Sequence, residues 1–274
     1  MAVKLGQVLD FAESLWPLAG AEDWDRPGLV TGSRQQPVSR ILLTVDVTRE
    51  VLSEAVEGGF DLILAHHPYL LRGVSSLAEE GFKGALLSEA IRRGVAVYSA
   101  HTNADIVADG VSAVLAEKIG VADTRPLVAA SYNPGIGHGR IGRLENPVSL
   151  LDFARRLAAT LPATASGIRV AGPHDLQIQT VALCGGAGDS FIAAAQAAGA
   201  DVYVTSDLRH HPVQDALELR QVDASAPCLI DVSHWAAEWL WLERAAEQLS
   251  NKFEELQIVV SQIRTDPWDF VVTQ

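Results

Sequence analysis

Apolar residues recur at helical spacing over residues 3–16 (Leu5, Val8, Leu9, Ala12, Leu15, Trp16), and Pro17 stops the run. Residues 41–47 form a β-rich run. Thr48 is a natural N-cap and predicts a helix to about residue 57, closed by Gly58-Gly59. A second apolar run, Leu62-Ile63-Leu64-Ala65, ends abruptly in His66-His67-Pro68, and Pro68 cannot extend a strand. Helical patterning over residues 82–93 stops at Gly94, the short apolar run 95–100 ends at His101, and residues 109–119 are again helical. Strand, helix, strand, helix, strand in succession predicts a largely parallel sheet with right-handed crossovers.

From residue 121 to 173 the pattern is looser, with a Gly-rich strand expected over 137–144 and a helix over 149–160. The first pattern returns at residue 178. A strand over 178–184 leads through Gly185-Gly186-Ala187-Gly188-Asp189 into an alanine-rich helix ending near Gly199, and a strand over 201–205 precedes His210-His211-Pro212. A helix to about 219, a strand over 228–232 ending at Ser233-His234, a helix over 235–249 and a strand over 256–263 follow, and the tail 267–272 adds one more expected strand. Strand, helix, strand and His-His-Pro thus occur twice. Twice, too, a strand ends in a histidine with a carboxylate four residues later: His101 with Asp105, and His234 with Glu238.

The expected fold is α/β: two similar three-layer α/β lobes related by a pseudo-twofold, with mixed, mostly parallel sheets. Residues 1–125 form the first lobe (His66-His67, His101, Asp105), 126–173 a connector packed on the lobes, and 174–274 the second lobe (His210-His211, His234, Glu238). The second copy is longer between its strand and His210, so the copies are not chemically equivalent.

Composition narrows the function. A chain of 274 residues suits one large domain or two lobes. A net charge of −13 argues against a nucleic-acid backbone or an anionic membrane as the main partner. The two cysteines, Cys184 and Cys228, lie in apolar runs and read as buried thiols in a reducing compartment. No apolar run reaches membrane-spanning length, and the early Lys4, Asp10 and Glu13 fit neither a secretory signal nor a transit peptide. A cytoplasmic protein is expected.

In open α/β sheets ligands bind where strands end. Six of the eight histidines gather in four places, three of them directly after apolar strands: His66, His67, His101, His210, His211 and His234. Imidazole with carboxylate suits zinc, manganese or iron, and the cysteines lie off these motifs. Glu238 shares a helix with Trp235, Trp239 and Trp241. An unpaired carboxylate buried there would cost several kcal/mol, a penalty that a bound cation, or a partner such as Arg244, removes. Two carboxylates with three or four imidazoles exceed one tetrahedral site and suit two cations about 3.5–4 Å apart, an arrangement made for hydrolysis. The glycine turn 185–188 reads either as an anion cradle or as tight packing, and Trp24 to Gly28 as a pocket rim or a packed loop.

Together these motifs resemble the Nif-three-like family of dinuclear-metal proteins, also called type 2 GTP cyclohydrolase I. The resemblance rests on Trp24-Asp25-x-x-Gly28-Leu29, His66-His67-Pro68, Ser99-Ala100-His101-Thr102-Asn103-Ala104-Asp105, Cys184-Gly185-Gly186-Ala187-Gly188 and His234-x-x-x-Glu238, in that order. It implies that His66, His67, Asp105, His234 and Glu238 bind two divalent metal ions (zinc, manganese or iron), with Glu238 or Asp105 bridging. His101 would lie beside them as a ligand or catalytic proton carrier. It further implies a toroidal homohexamer with its metal sites facing an internal cavity, a small-molecule substrate such as a nucleotide, and hydrolytic opening of a guanine ring. His210 is a second candidate proton carrier. The short connector implies that a domain inserted in some members is missing here. Arg26-Pro27, Ser233 and Thr205-Ser206-Asp207 depart from the family pattern and bear on pocket shape, while the five metal positions are intact. A non-catalytic, metal-binding hexameric scaffold and metal-dependent phosphoester cleavage are the alternatives to ring hydrolysis.

Overall fold

The computed structural model describes residues 2–273. It is α/β, with mixed parallel and antiparallel sheets, and the chain divides into two compact units. The first comprises residues up to Ala104 and Leu242–Thr265; the second comprises Asp105–Trp241 and residues from Asp266 on. The sequence pattern placed the first division near residue 125 and a connector over 126–173. In the structure this stretch supplies Arg140–Ser149, which pairs with both Gln177–Ala187 and Val121–Arg125 in the second unit's sheet. Leu150–Thr160 follows as a helix, capped by the Ser149 hydroxyl accepting from Asp152 N–H.

In the first unit, Arg40–Thr44, Leu62–Ala65 and Ala96–Ser99 lie side by side and parallel. Gln257–Val260 adds a parallel strand to Arg40–Thr44, and Gly28–Thr31 closes the other edge antiparallel to Ala96–Ser99. All four residues of Leu62–Ala65 are buried, as a strand covered on both faces requires. Arg49–Glu57, with Thr48 Oγ1 accepting from Val51 N–H, and Phe82–Arg93, ending at Gly94 with φ 72°, bring Val51, Leu52, Leu86, Leu87 and Ala90 into one core with Leu42, Ile63 and Val97.

The second unit repeats the parallel centre. Gln177–Ala187, Val202–Ser206 and Cys228–Val232 lie in order, flanked antiparallel by Arg140–Ser149 on one side and Arg169–Ala171 on the other. Its core gathers Ala182, Cys184, Tyr203 and Leu229 under Ala195 and Ala216. The tail expected as a strand over 267–272 has no regular structure, and Trp268, Phe270, Val271 and Val272 are exposed. Apolar spacing alone makes no strand where no sheet edge takes up the hydrogen bonds. Among the described residues no helix is long and apolar enough to cross a membrane.

Candidate metal centre

The first unit's ladder continues past its assigned strand. His66 N–H donates to Thr44 O (3.0 Å), His67 N–H to Val45 O (2.9 Å) and Ala100 N–H to Ala65 O (3.0 Å), and Pro68 then ends the pairing. Both histidine backbones are therefore as rigid as the sheet. The rings of His66, His67 and His101 stand 5.2–5.4 Å apart between centroids, and one ligand nitrogen from each lies within 4.8 Å of the others.

Each ring is oriented by an oxygen. His66 Nδ1 lies 2.9 Å from Ala100 O, and a carbonyl can only accept, so Nδ1 carries the proton and Nε2 the lone pair. His67 Nδ1 meets Asp46 Oδ1 at 2.7 Å, and His101 Nδ1 meets Asp25 Oδ1 at 2.8 Å. An oxygen acceptor on the far nitrogen is the arrangement that fixes tautomer and orientation in metal-ligating histidines. Imidazoles so held, without thiolate, fit zinc, manganese or iron.

Asp25 is the fully buried member, with none of its side chain exposed. Its Oδ2 accepts from Thr102 N–H (3.0 Å) and Thr102 Oγ1 (2.5 Å), and its Oδ1 also accepts from Arg26 N–H (2.7 Å). Burial raises its pKa, but the bonds from His101 and Thr102 outweigh that and hold it at about 2. The Trp24–Gly28 loop is thus a support for His101, with the exposed Trp24 ring edge-on to that imidazole at 5.8 Å.

In the second unit, His234 opens the helix His234–Lys252 directly behind Cys228–Val232. Its Nε2 lies 2.8 Å from Glu238 Oε1, and its Nδ1 2.7 Å from Asp207 Oδ2. Burial pushes the His234 pKa down, but the carboxylates on either side outweigh it and raise it well above the ordinary value. An imidazole and a carboxylate so paired are donors that suit a divalent cation such as zinc, manganese or iron. Glu238 is buried, and Arg244 has its Nε 3.7 Å from Glu247.

Asp105 is half-buried in the same unit. Its charge and that of Glu238 both act on the Cys184 thiol, which burial, first of all, pushes up to about 12. Cys184 is therefore a neutral packing group. The buried Arg140 donates to Gly137 O and Gly139 O (both 2.8 Å) and to Val107 O (2.5 Å), tying the segment behind Asp105 to the sheet.

The glycine turn proves to be packing. Residues 185–187 belong to the strand Gln177–Ala187, and Gly185 N–H donates to Ser112 Oγ at 3.1 Å. Gly186 has φ 77°, and a Cβ there would come within 2.6 Å of Glu238 Oε1; one on Gly188 would meet Tyr203 Oη at 2.4 Å. The helix beyond, Ile192–Ala197, has only 6 residues. These glycines let the sheet approach Glu238 and Tyr203 closely.

His210 and His211 belong to the second unit. They open the helix His210–Val222, are exposed, and lie edge-on to one another at 5.2 Å. Sequence reasoning gave no role to Asp25, Asp46 or Asp207, although each has a local mark. Asp25 lies in the Trp-Asp motif, Asp46 follows the strand Arg40–Thr44, and Asp207 follows Val202–Ser206 with φ 58°, a conformation aspartate tolerates.

The model of the Duf34/NIF3 (NGG1p interacting factor 3) family matches residues 3–267. A Streptomyces coelicolor protein named "GTP cyclohydrolase 1 type 2 homolog" is 42% identical over 271 residues, 97% of this chain and 93% of its own length. A Mycobacterium tuberculosis protein of the same name is 32% identical over 376 residues, which take in 98% of this chain and 97% of that protein, so it carries a segment without counterpart here. Among solved structures, a Staphylococcus aureus hypothetical protein superposes with a TM-score of 0.90 at 26% identity, covering 99% of this chain and 100% of that one. A Bacillus cereus protein related to NIF3 also gives 0.90, over 99% of this chain and 100% of its own, at 23% identity, and so shares the fold.

Proposed function

The chain belongs to the Duf34/NIF3 family, and from that premise we propose that it is a metal-dependent hydrolase acting on a nucleotide or related heterocycle. Its cofactor is two divalent ions, zinc, manganese or iron. His66, His67, Asp105, His234 and Glu238 would hold them. The protein acts in the cytoplasm as a homohexamer. The observation that carries the reading is the orientation of the four imidazoles: His66, His67, His101 and His234 each have Nδ1 engaged by an oxygen, which turns Nε2 to the work of a ligand or base. The names borne by the relatives from Streptomyces coelicolor and Mycobacterium tuberculosis point to a nucleotide.

Bound ions would supply Lewis acidity and bring the pKa of water toward neutrality. The chain's own part is positioning and proton transfer. His101, with Nδ1–H held by the buried Asp25 carboxylate, offers Nε2 to accept a proton from the nucleophile and return it to the leaving nitrogen. Asp25 orients that ring and faces the charge it gains. Incubation of the metal-loaded protein with GTP tests this. Formate release that His101→Gln lowers by about two orders of magnitude, with metal content unchanged, is the expected result. Phosphate release would indicate phosphoester cleavage, and neither product would contradict a GTP hydrolase.

A further inference from the structure

We infer that the cavity beside His67 is an anion-accepting pocket that holds the phosphate-bearing part of a nucleoside phosphate. It has a volume of about 460 Å³, within the range that holds a small ligand, and lies wholly within the first unit. His67 forms part of its wall, so it opens beside a proposed metal ligand.

The other walls have the chemistry of an anion site. Arg49 and Lys83 both line the cavity, in a chain whose net charge is −13. Thr48 and Arg49, the N-cap and first residue of the nine-residue helix Arg49–Glu57, both line it. Lys83 Nζ donates to Tyr69 O and sits 3.9 Å from the centre of the Tyr69 ring. A carbonyl dipole and a ring face offset an ammonium charge only in part, and an ammonium has three donors. Burial pushes the Lys83 pKa down, a cost that a bound anion relieves.

The opposing charges have partners of their own. Asp46, also in the wall, is held by His67 Nδ1 at 2.7 Å and Thr265 Oγ1 at 2.5 Å. Glu89 comes only to 3.9 Å from the exposed Arg49, so the pair is weak. The Tyr69 ring in the wall and Phe82 at the rim provide flat apolar surface. Two cations of different reach with aromatic surface suit a phosphate attached to a heterocycle better than an isolated carboxylate. That the heterocycle then points toward the metal ligands rests on the function proposed above; the anion pocket itself does not.

The test is calorimetric titration of the purified protein with GTP and with guanosine, its metal content measured on the same samples. GTP should bind more tightly than guanosine. Arg49→Gln and Lys83→Gln should each weaken GTP by about tenfold, the loss of one charge-assisted contact, and Lys83→Arg should retain most of the affinity. Metal content should be the same in all variants. Undetectable GTP binding, equal affinity for guanosine, or GTP affinity unchanged in the double variant would each overturn the inference. A metal-free protein whose GTP binding still depends on Arg49 and Lys83 would uphold the pocket while the hydrolase reading fails. A metal-loaded protein indifferent to both substitutions would do the reverse.

Discussion

The two units share a centre and differ at its edge. Each has three successive parallel strands, Arg40–Thr44, Leu62–Ala65 and Ala96–Ser99 in one, Gln177–Ala187, Val202–Ser206 and Cys228–Val232 in the other. In each the third strand runs into a histidine whose Nδ1 is held by an aspartate: His101 by Asp25, His234 by Asp207. The second strands part company. Leu62–Ala65 passes straight into His66-His67, still in the ladder, whereas Val202–Ser206 passes into Asp207 in a left-handed turn and reaches His210-His211 only on an exposed helix. The repeat is one of topology. A displacement of three residues turns a pair of rigid donors into a solvated pair.

The largest expected effect separates the two supporting aspartates. Asp25→Ala strands three donors and the His101 ring in a buried site and should destabilise the protein by about 3 kcal/mol. Asp207→Ala removes an exposed carboxylate and should cost under about 1 kcal/mol. Denaturant unfolding measures both, and equal costs would mean that the two aspartates support their histidines alike. Acid sharpens it. Because the folded-state pKa of Asp25 is lowered to about 2, its contribution is complete above its unfolded value near 4 and is lost as pH falls through 2. The stability gap between the native protein and Asp25→Asn should therefore close between about pH 4 and pH 2, and a gap constant over that window would contradict the assignment.

A smaller effect tests the second unit alone. Gly186→Ala puts a methyl 2.6 Å from Glu238 Oε1 at a positive φ, and should cost about 1–2 kcal/mol and weaken metal uptake. Differential scanning calorimetry with metal titration would show it, and unchanged uptake would mean that Glu238 does not need its present position. The smallest effect belongs to the solvated pair. His210→Ala with His211→Ala should shift stability by less than about 0.5 kcal/mol and leave metal content unchanged, in contrast to His66→Ala.

Much of this was legible in the chain because it is local. The Phe82–Arg93 helix runs from its first apolar turn to a left-handed Gly94, and Thr48 caps the helix it announces. Both need only neighbouring residues. His66 and His67 were legible because Pro68 marks where pairing must stop. What could not be read depends on distant partners. Gln257–Val260 pairs with Arg40–Thr44 across most of the chain, and no periodicity announces that. Asp25 meets His101 from a loop 76 residues earlier. The His210-His211 motif misled because a matching tripeptide says nothing of the turn before it.

Whether the strand-end histidines hold metal is decided by elemental analysis of protein purified without added metal or tag histidines. About two equivalents of zinc, manganese or iron per chain are expected, reduced by Glu238→Gln without loss of folding. A chain that carries no metal and takes up none on titration would contradict it.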